Sequence, residues 1–228
     1  PRPTKQMTTH AFYESWLASF FDQVVRGTLR VAKELQFFRY LKALAEANMT
    51  ELNHYKLSEI AGISYGTAIY WTEFLVAVGV LIEIPSLQLP TRRQVKRPKI
   101  CFADSGLLCH LLDCRTTEDL LASPFYEKIF EGFVASELVK GYAAWGEESP
   151  VTYYRDTSKK HIDLLVHTKR GYVPVGFYTS QARDPKLVLR EMKVLGRMGE
   201  RVEEPVLITD GTLIAEKTDV ALISATAL

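Results

Sequence analysis

Net charge is nearly absent from this sequence: 28 lysines and arginines stand against 27 aspartates and glutamates, a formal +1. A field that weak steers neither nucleic acid nor an acidic partner toward the whole molecule, so any electrostatic site must come from local clustering. Cysteine is scarce too. Cys101, Cys109 and Cys114 are odd in number and form no CxxC pair, which argues against a disulfide framework and for buried thiols in a reducing cytoplasm. No apolar run is long enough to span a membrane. The start, Pro1-Arg2-Pro3-Thr4, is no signal peptide, and its missing initiator methionine suggests a fragment of a longer protein. No GxxxxGK[ST] phosphate loop occurs, so the chain is not expected to hydrolyse ATP by itself. The histidines, His10, His54, His110, His161 and His167, make no HExxH or other helical ligand pair. His161 and Asp163 alternate on one expected strand, but two ligands make a poor metal site. No serine or cysteine has a His/Asp arrangement suited to nucleophilic catalysis.

What is present is ample apolar material, 47% of 228 residues, enough for one large domain or two small ones. Two helices are expected over residues 9–48. The first carries Phe12, Trp16, Phe20 and Val24 on one face, the second Leu35, Phe38, Leu41, Leu44 and Ala45. A short helix at 56–61, a turn at Gly62-Ile63-Ser64 and a helix over 65–78 with Ala68, Trp71, Leu75 and Val78 inward come next. Strands at 80–84 and 99–102 complete the outline of a winged helix-turn-helix. After a linker, a long helix over 125–144 is expected. Strands follow at 151–155, 162–168 and 172–177, then a helix at 186–198 and strands at 206–209 and 220–224. The fold class is α/β (α+β): a helical segment and winged helix over 1–103, a linker over 104–123, and an α/β sandwich with a mixed sheet over 124–228.

The loop between the two wing strands, 91–99, holds Arg92, Arg93, Lys96, Arg97 and Lys99 and no acid. Cations on a wing meet DNA phosphates, each adding roughly 0.9 to the slope of log affinity against log salt. The helix over 65–78 offers no Arg, Lys, Asn or Gln for bidentate base reading. Tyr65 and Thr67, with Tyr70 and Thr72, would touch phosphates or thymine methyls at most. Backbone-only DNA binding and a protein-docking winged helix are therefore both open readings.

The C-terminal half has the outline of a nuclease core with part of its centre missing. A metal-dependent nuclease needs carboxylates converging on a divalent cation and a lysine near the attacking water. Glu131 on the long helix and Asp163 at a strand start are placed to serve as carboxylates, and two suffice for a hydrated Mg²⁺. The next strand would carry Glu-x-Lys with both side chains on one face. Here Gly176 and Tyr178 are read at those positions. Glycine offers no ligand, and tyrosine cannot replace an ammonium because its charged form is an anion. Glu191 or Lys193 on the following helix are weaker substitutes.

Four segments together resemble a known group: Phe12-Tyr13-Glu14-Ser15-Trp16-Leu17; Leu57-Ser58-Glu59-Ile60-Ala61-Gly62-Ile63-Ser64; Arg97-Pro98-Lys99-Ile100-Cys101-Phe102-Ala103-Asp104-Ser105-Gly106-Leu107-Leu108; and Phe130-Glu131-Gly132-Phe133-Val134-Ala135-Ser136-Glu137-Leu138. They are similar to the C-terminal region of the archaeal/bacterial predicted AAA-type P-loop ATPases, where a winged helix and a restriction-endonuclease-like domain of unknown function follow the motor. The resemblance implies a P-loop ATPase domain in the same full-length polypeptide, with ATP and Mg²⁺ belonging to that domain and no cofactor in this fragment. The family's nuclease-like strand usually carries Glu-x-Lys, its recognition helix is commonly more basic, and an Arg-Asp pair is frequent where this chain reads Asp22-Gln23-Val24. These departures favour a non-catalytic regulatory or target-binding module with a DNA or protein target, no membrane contact and a homo-oligomer as one possible assembly. Non-sequence-specific DNA binding through the basic wing and metal-dependent nuclease activity through Glu131 and Asp163 are the alternatives.

Overall fold

The computed structural model describes residues 8–29, 34–89, 95–158, 160–179, 195–196, 199–211 and 221–225. Helix α1 (Thr9–Phe20) starts at Thr8, whose side chain accepts a hydrogen bond from Ala11 N. A π-helical turn over Phe21–Val25 leads into α2 (Arg26–Leu29). The inward face is centred one residue on: Leu17, Phe21 and Val25 are buried, the expected Trp16 and Phe20 are partly buried against the same core, and Phe12 is 49% exposed. Adjacent stripes share the four-residue spacing, so the period alone cannot choose between them. Packing chooses, since Phe21 sets its ring 5.8 Å from Phe37 and 5.5 Å from Phe38 on α3 (Glu34–Glu46). On α3, Leu35 likewise lies outward, and Phe37, Tyr40, Leu41 and Leu44 are buried.

Asn53 caps α4 (His54–Ala61), Gly62 ends it at φ 68°, and Ser64 caps α5 (Tyr65–Ala77) through Thr67 N. The left-handed φ at Gly62 is the reason glycine stands there. Ala68, Trp71 and Leu75 are buried as expected, but Val78 lies beyond the helix and is exposed. The Tyr40 hydroxyl fixes α3 to α5, contacting Ala68 O at 2.8 Å and Thr72 Oγ1 at 2.6 Å. Strands β1 (Leu81–Ile84) and β2 (Lys99–Phe102) pair antiparallel. The 104–123 segment forms two helices, α6 (Ser105–Leu111) and α7 (Thr117–Ala122), capped by Asp104 and Thr116. Leu107 and Leu108 join the N-terminal core.

Helix α8 (Tyr126–Ala144) lies against a five-stranded mixed sheet in the order β3 (Val151–Arg155), β4 (His161–Thr168), β5 (Gly171–Tyr178), β6 (Val206–Thr209), β7 (Ala221–Ser224). The first three strands are antiparallel, and β5, β6 and β7 run parallel. The architecture is thus an N-terminal helical region with a small hairpin, then a helix and a mixed sheet, the expected α/β arrangement. Most of the helix expected over 186–198 lies outside the described residues.

The two halves share their packing. Met49, Ile84 and Cys101 belong to one buried cluster with Phe130 and Val134 of α8 and Val151, Tyr153, Leu164, Val175, Phe177 and Ile208 of the sheet. The wing is also tied down. Past β1 the chain runs along the edge of β3, where Tyr153 N donates to Pro85 O at 3.0 Å and Leu87 N to Tyr153 O at 2.7 Å. On the return, Val95 N donates to Arg155 O at 3.0 Å. An open sheet edge invites foreign strands, and here the wing covers it.

Candidate functional site

A cleft of about 830 Å³ opens between the halves, lined from α3, α4, β2, α8, β3, β4 and the end of β5. A register shift in the β3–β4 pair brings Asp163 into it. Val151 and Thr152 pair with Val166 and Leu165, but Tyr154 and Arg155 pair with Ile162 and His161. One extra residue on β4 therefore lies opposite Tyr153, so Asp163 and Leu164 share that position. Strict alternation from Leu164, which packs in the cluster against α8, would turn Asp163 and His161 to the far face. The bulge resets the alternation, as bulges beside functional sites do, and both residues line the cleft.

On β5 the frame differs from the expected one. Val175 and Phe177 pack in the α8-side cluster, and Phe177 and Thr179 line the cleft. Gly176 and Tyr178 alternate onto the other face. The cleft-facing pair in the Glu-x-Lys frame is therefore Phe177 and Thr179, and neither supplies a carboxylate or an ammonium. Glu191 and Lys193 lie outside the described residues.

The ammonium arrives from another element. Lys99 on β2, expected among the phosphate-facing wing cations, is only 8% exposed. Its Nζ stands 3.8 Å from Asp163 Oδ1, 3.4 Å from the Asp163 carbonyl oxygen and 5.1 Å from the Tyr153 ring centre. Glu131, 7% exposed on α8, accepts from Lys128 Nζ at 2.7 Å. Higher in the cleft Arg155 Nη1 meets Glu51 Oε1 at 2.8 Å. Lys128 sits three residues before Glu131, a helix spacing legible in the sequence. The Glu51–Arg155 pair spans the whole fold and leaves no such signal.

Burial lowers the Lys99 pKa even though Asp163 and Glu131 favour its charge. Burial, then the neighbouring Asp163, raises the Glu131 pKa against the pull of Lys128 and Lys99. Burial opposes the charge of Lys128 too, but the Glu131 carboxylate outweighs it and holds that lysine above its ordinary value. Desolvation thus exceeds the Coulombic return at Lys99 and Glu131, the usual balance for buried ion pairs.

A divalent cation is what the nuclease resemblance implies at Glu131 and Asp163. The residues present do not fit one. Each carboxylate already faces a lysine, whose positive charge opposes a divalent ion beside it.

The remaining nucleic-acid candidates are scattered. Arg92 and Arg93 lie outside the described residues. Lys96 and Arg97 are exposed, and Arg97 lines the cleft rim with Lys56. On α5, Tyr65 is exposed, while the Thr67 hydroxyl is engaged with Ser64 Oγ at 2.7 Å. The exposed α5 positions after Tyr65 include Tyr70 and Glu73 and carry no cation. No helix among the described residues is long and apolar enough to cross a membrane.

No curated protein and no solved structure matches the chain. Two family models do: a domain of unknown function, DUF8612, over residues 2–118, and another, DUF4143, over residues 126–228. The cleft draws Lys99 and Glu51 from the first matched stretch and Glu131, Arg155 and Asp163 from the second. The chain therefore belongs to the DUF8612 family, with a DUF4143 domain following in the same polypeptide.

Proposed function

We propose that the chain is a non-catalytic regulatory and target-binding module that follows a P-loop AAA-type ATPase domain in the full-length polypeptide, with ATP and Mg²⁺ belonging to that domain. The observation that carries the reading is the cleft face of β5, where Phe177 and Thr179 stand in place of Glu-x-Lys, together with the pairing of Lys99 with Asp163 and of Lys128 with Glu131. Hydrolysis needs carboxylates converging on a metal to orient water; β5 adds none to Glu131 and Asp163, and each of those has a lysine beside it. DUF4143 domains are commonly found C-terminal to AAA ATPases, which supports the motor partner. The test is incubation of the protein with duplex DNA, single-stranded DNA and RNA in Mg²⁺ or Mn²⁺. No cleavage is expected, and cleavage that disappears in Asp163→Ala overturns the reading. A full-length reading frame without an upstream Walker motif would remove the ATPase half of it.

A second reading is weak DNA-backbone binding at the cleft rim, favoured by the exposure of Lys96 and Arg97. Because Lys99 is occupied, it drops out of that surface. Fluorescence anisotropy on duplex DNA across a salt series should show Lys96→Ala and Arg97→Ala each lowering the slope by about 0.9. Unchanged slopes would dismiss this reading.

A further inference from the structure

We propose that the Lys99 ammonium is the resident cation of the Glu131–Asp163 centre, standing where the nuclease resemblance would place a divalent metal. This inference rests on the non-catalytic reading above and says how that state is enforced.

The ammonium sits among electron-rich groups. Lys99 Nζ is approached by a carboxylate oxygen and a backbone carbonyl oxygen of Asp163, and by the face of the Tyr153 ring. Oxygen donors and an aromatic face are what a desolvated ammonium needs. The holder is built by tertiary structure. The bulge opposite Tyr153 turns Asp163 into the cleft. Tyr153 is in turn held by its hydroxyl on Arg97 O and by two backbone bonds to the 85–87 segment. The side chain is delivered by β2, whose register is fixed by four pairs with β1 and an added bridge from Glu51 to Lys99. Lys128 supplies a second positive charge beside Glu131. A divalent ion entering here would have to displace a buried ammonium and stand beside another, so the centre excludes metal by charge. Lys99 is thus a positioning residue that locks the N-terminal half onto the sheet.

Removing the ammonium should uncover the carboxylates, since Mg²⁺ or Mn²⁺ is commonly held by one or two protein carboxylates with waters. The experiment titrates Mn²⁺ into wild type, Lys99→Met, Lys99→Arg and the double variant Lys99→Met/Asp163→Asn, reading metal relaxation enhancement and thermal midpoint. Wild type and Lys99→Arg should show no saturable site. Lys99→Met should bind one Mn²⁺ at least about tenfold more tightly than either and gain thermal midpoint with it. The double variant should lose that site. Should Lys99→Met fail to fold, the comparison is made on stability. Asp163→Asn should then restore the fold in the double variant, because it removes the partly buried charge left without its lysine. A folded Lys99→Met that binds no Mn²⁺ would overturn the inference, as would wild type that binds Mn²⁺ through Asp163. So would a double variant no more stable than an unfolded Lys99→Met. The two failures are distinguishable: the inference fails on the Mn²⁺ titration, and the non-catalytic reading fails on nucleic-acid cleavage.

Discussion

At the scale of residues, the cleft is a set of charges whose environment matters more than their identity. Glu131 shows it best. Its carboxyl is held above the ordinary value of 4.5 by burial first and by Asp163 second. A carboxyl whose folded pKa is raised binds its proton more tightly in the folded state, so it costs stability once that proton is lost. The stability of wild type relative to Glu131→Gln should therefore fall as pH rises from the ordinary carboxylate value through the raised one, then level off. Urea unfolding of both proteins across that range checks it. A difference that grows with pH would mean that the Lys128 pair dominates instead. Glu131, Asp163 and Lys99 were all legible as chemically interesting residues. The role of Lys99 was not, because a lysine in a basic loop and a lysine reaching a buried carboxylate look the same in one dimension.

At the scale of elements, a glycine and the wing edge carry the testable consequences. A Cβ on Gly132 of α8 would collide with the side-chain nitrogen of Asn48. Asn48 is buried and joins the halves, donating to Lys128 O at 2.7 Å and accepting from Phe102 N at 3.1 Å. Gly132→Ala should cost about 1–3 kcal/mol by overpacking, measured by chemical denaturation; a neutral result would show that Asn48 can move. The docked wing predicts slow amide hydrogen exchange at Leu87 and Tyr153, as in a sheet interior, whereas a free wing would exchange fast. The strands and long helix were readable from apolar periodicity and turn residues, several to within a residue of their ends. The β4 bulge was not, because it is a property of pairing with β3. Its trace in the sequence is faint: Ile162 and Leu165, three apart, pack in the same cluster with Tyr154. That spacing breaks strand alternation only once the pairing is known.

At the scale of the whole molecule, the two matched stretches are not independent bodies in their packing. Met49, Ile84 and Cys101, all from the N-terminal half, are at most 1% exposed inside the cluster built on α8 and the sheet. The chain should therefore unfold in one cooperative transition, with far-ultraviolet circular dichroism and tryptophan fluorescence coinciding. Ile84→Ala should lower the stability of the whole by about 2–5 kcal/mol. Two separated transitions, with only one moved by Ile84→Ala, would show that the halves fold apart. The expected linker over 104–123 is packed as well, since its first helix contributes Leu107 and Leu108 to the N-terminal core.

The sequence by itself determined the elements, their order and the two carboxylates, because helix and strand periods, capping residues and turn glycines act over a few neighbouring positions. It also determined that no Glu-x-Lys pair stands on β5, in either frame. Only the tertiary structure decided which stripe of each helix faces inward, which face of β5 meets the cleft, and that a wing lysine fills it. Those outcomes depend on pairing register and on contacts between residues far apart in the chain, as with Lys99 and Asp163, and local chemistry does not encode them one segment at a time.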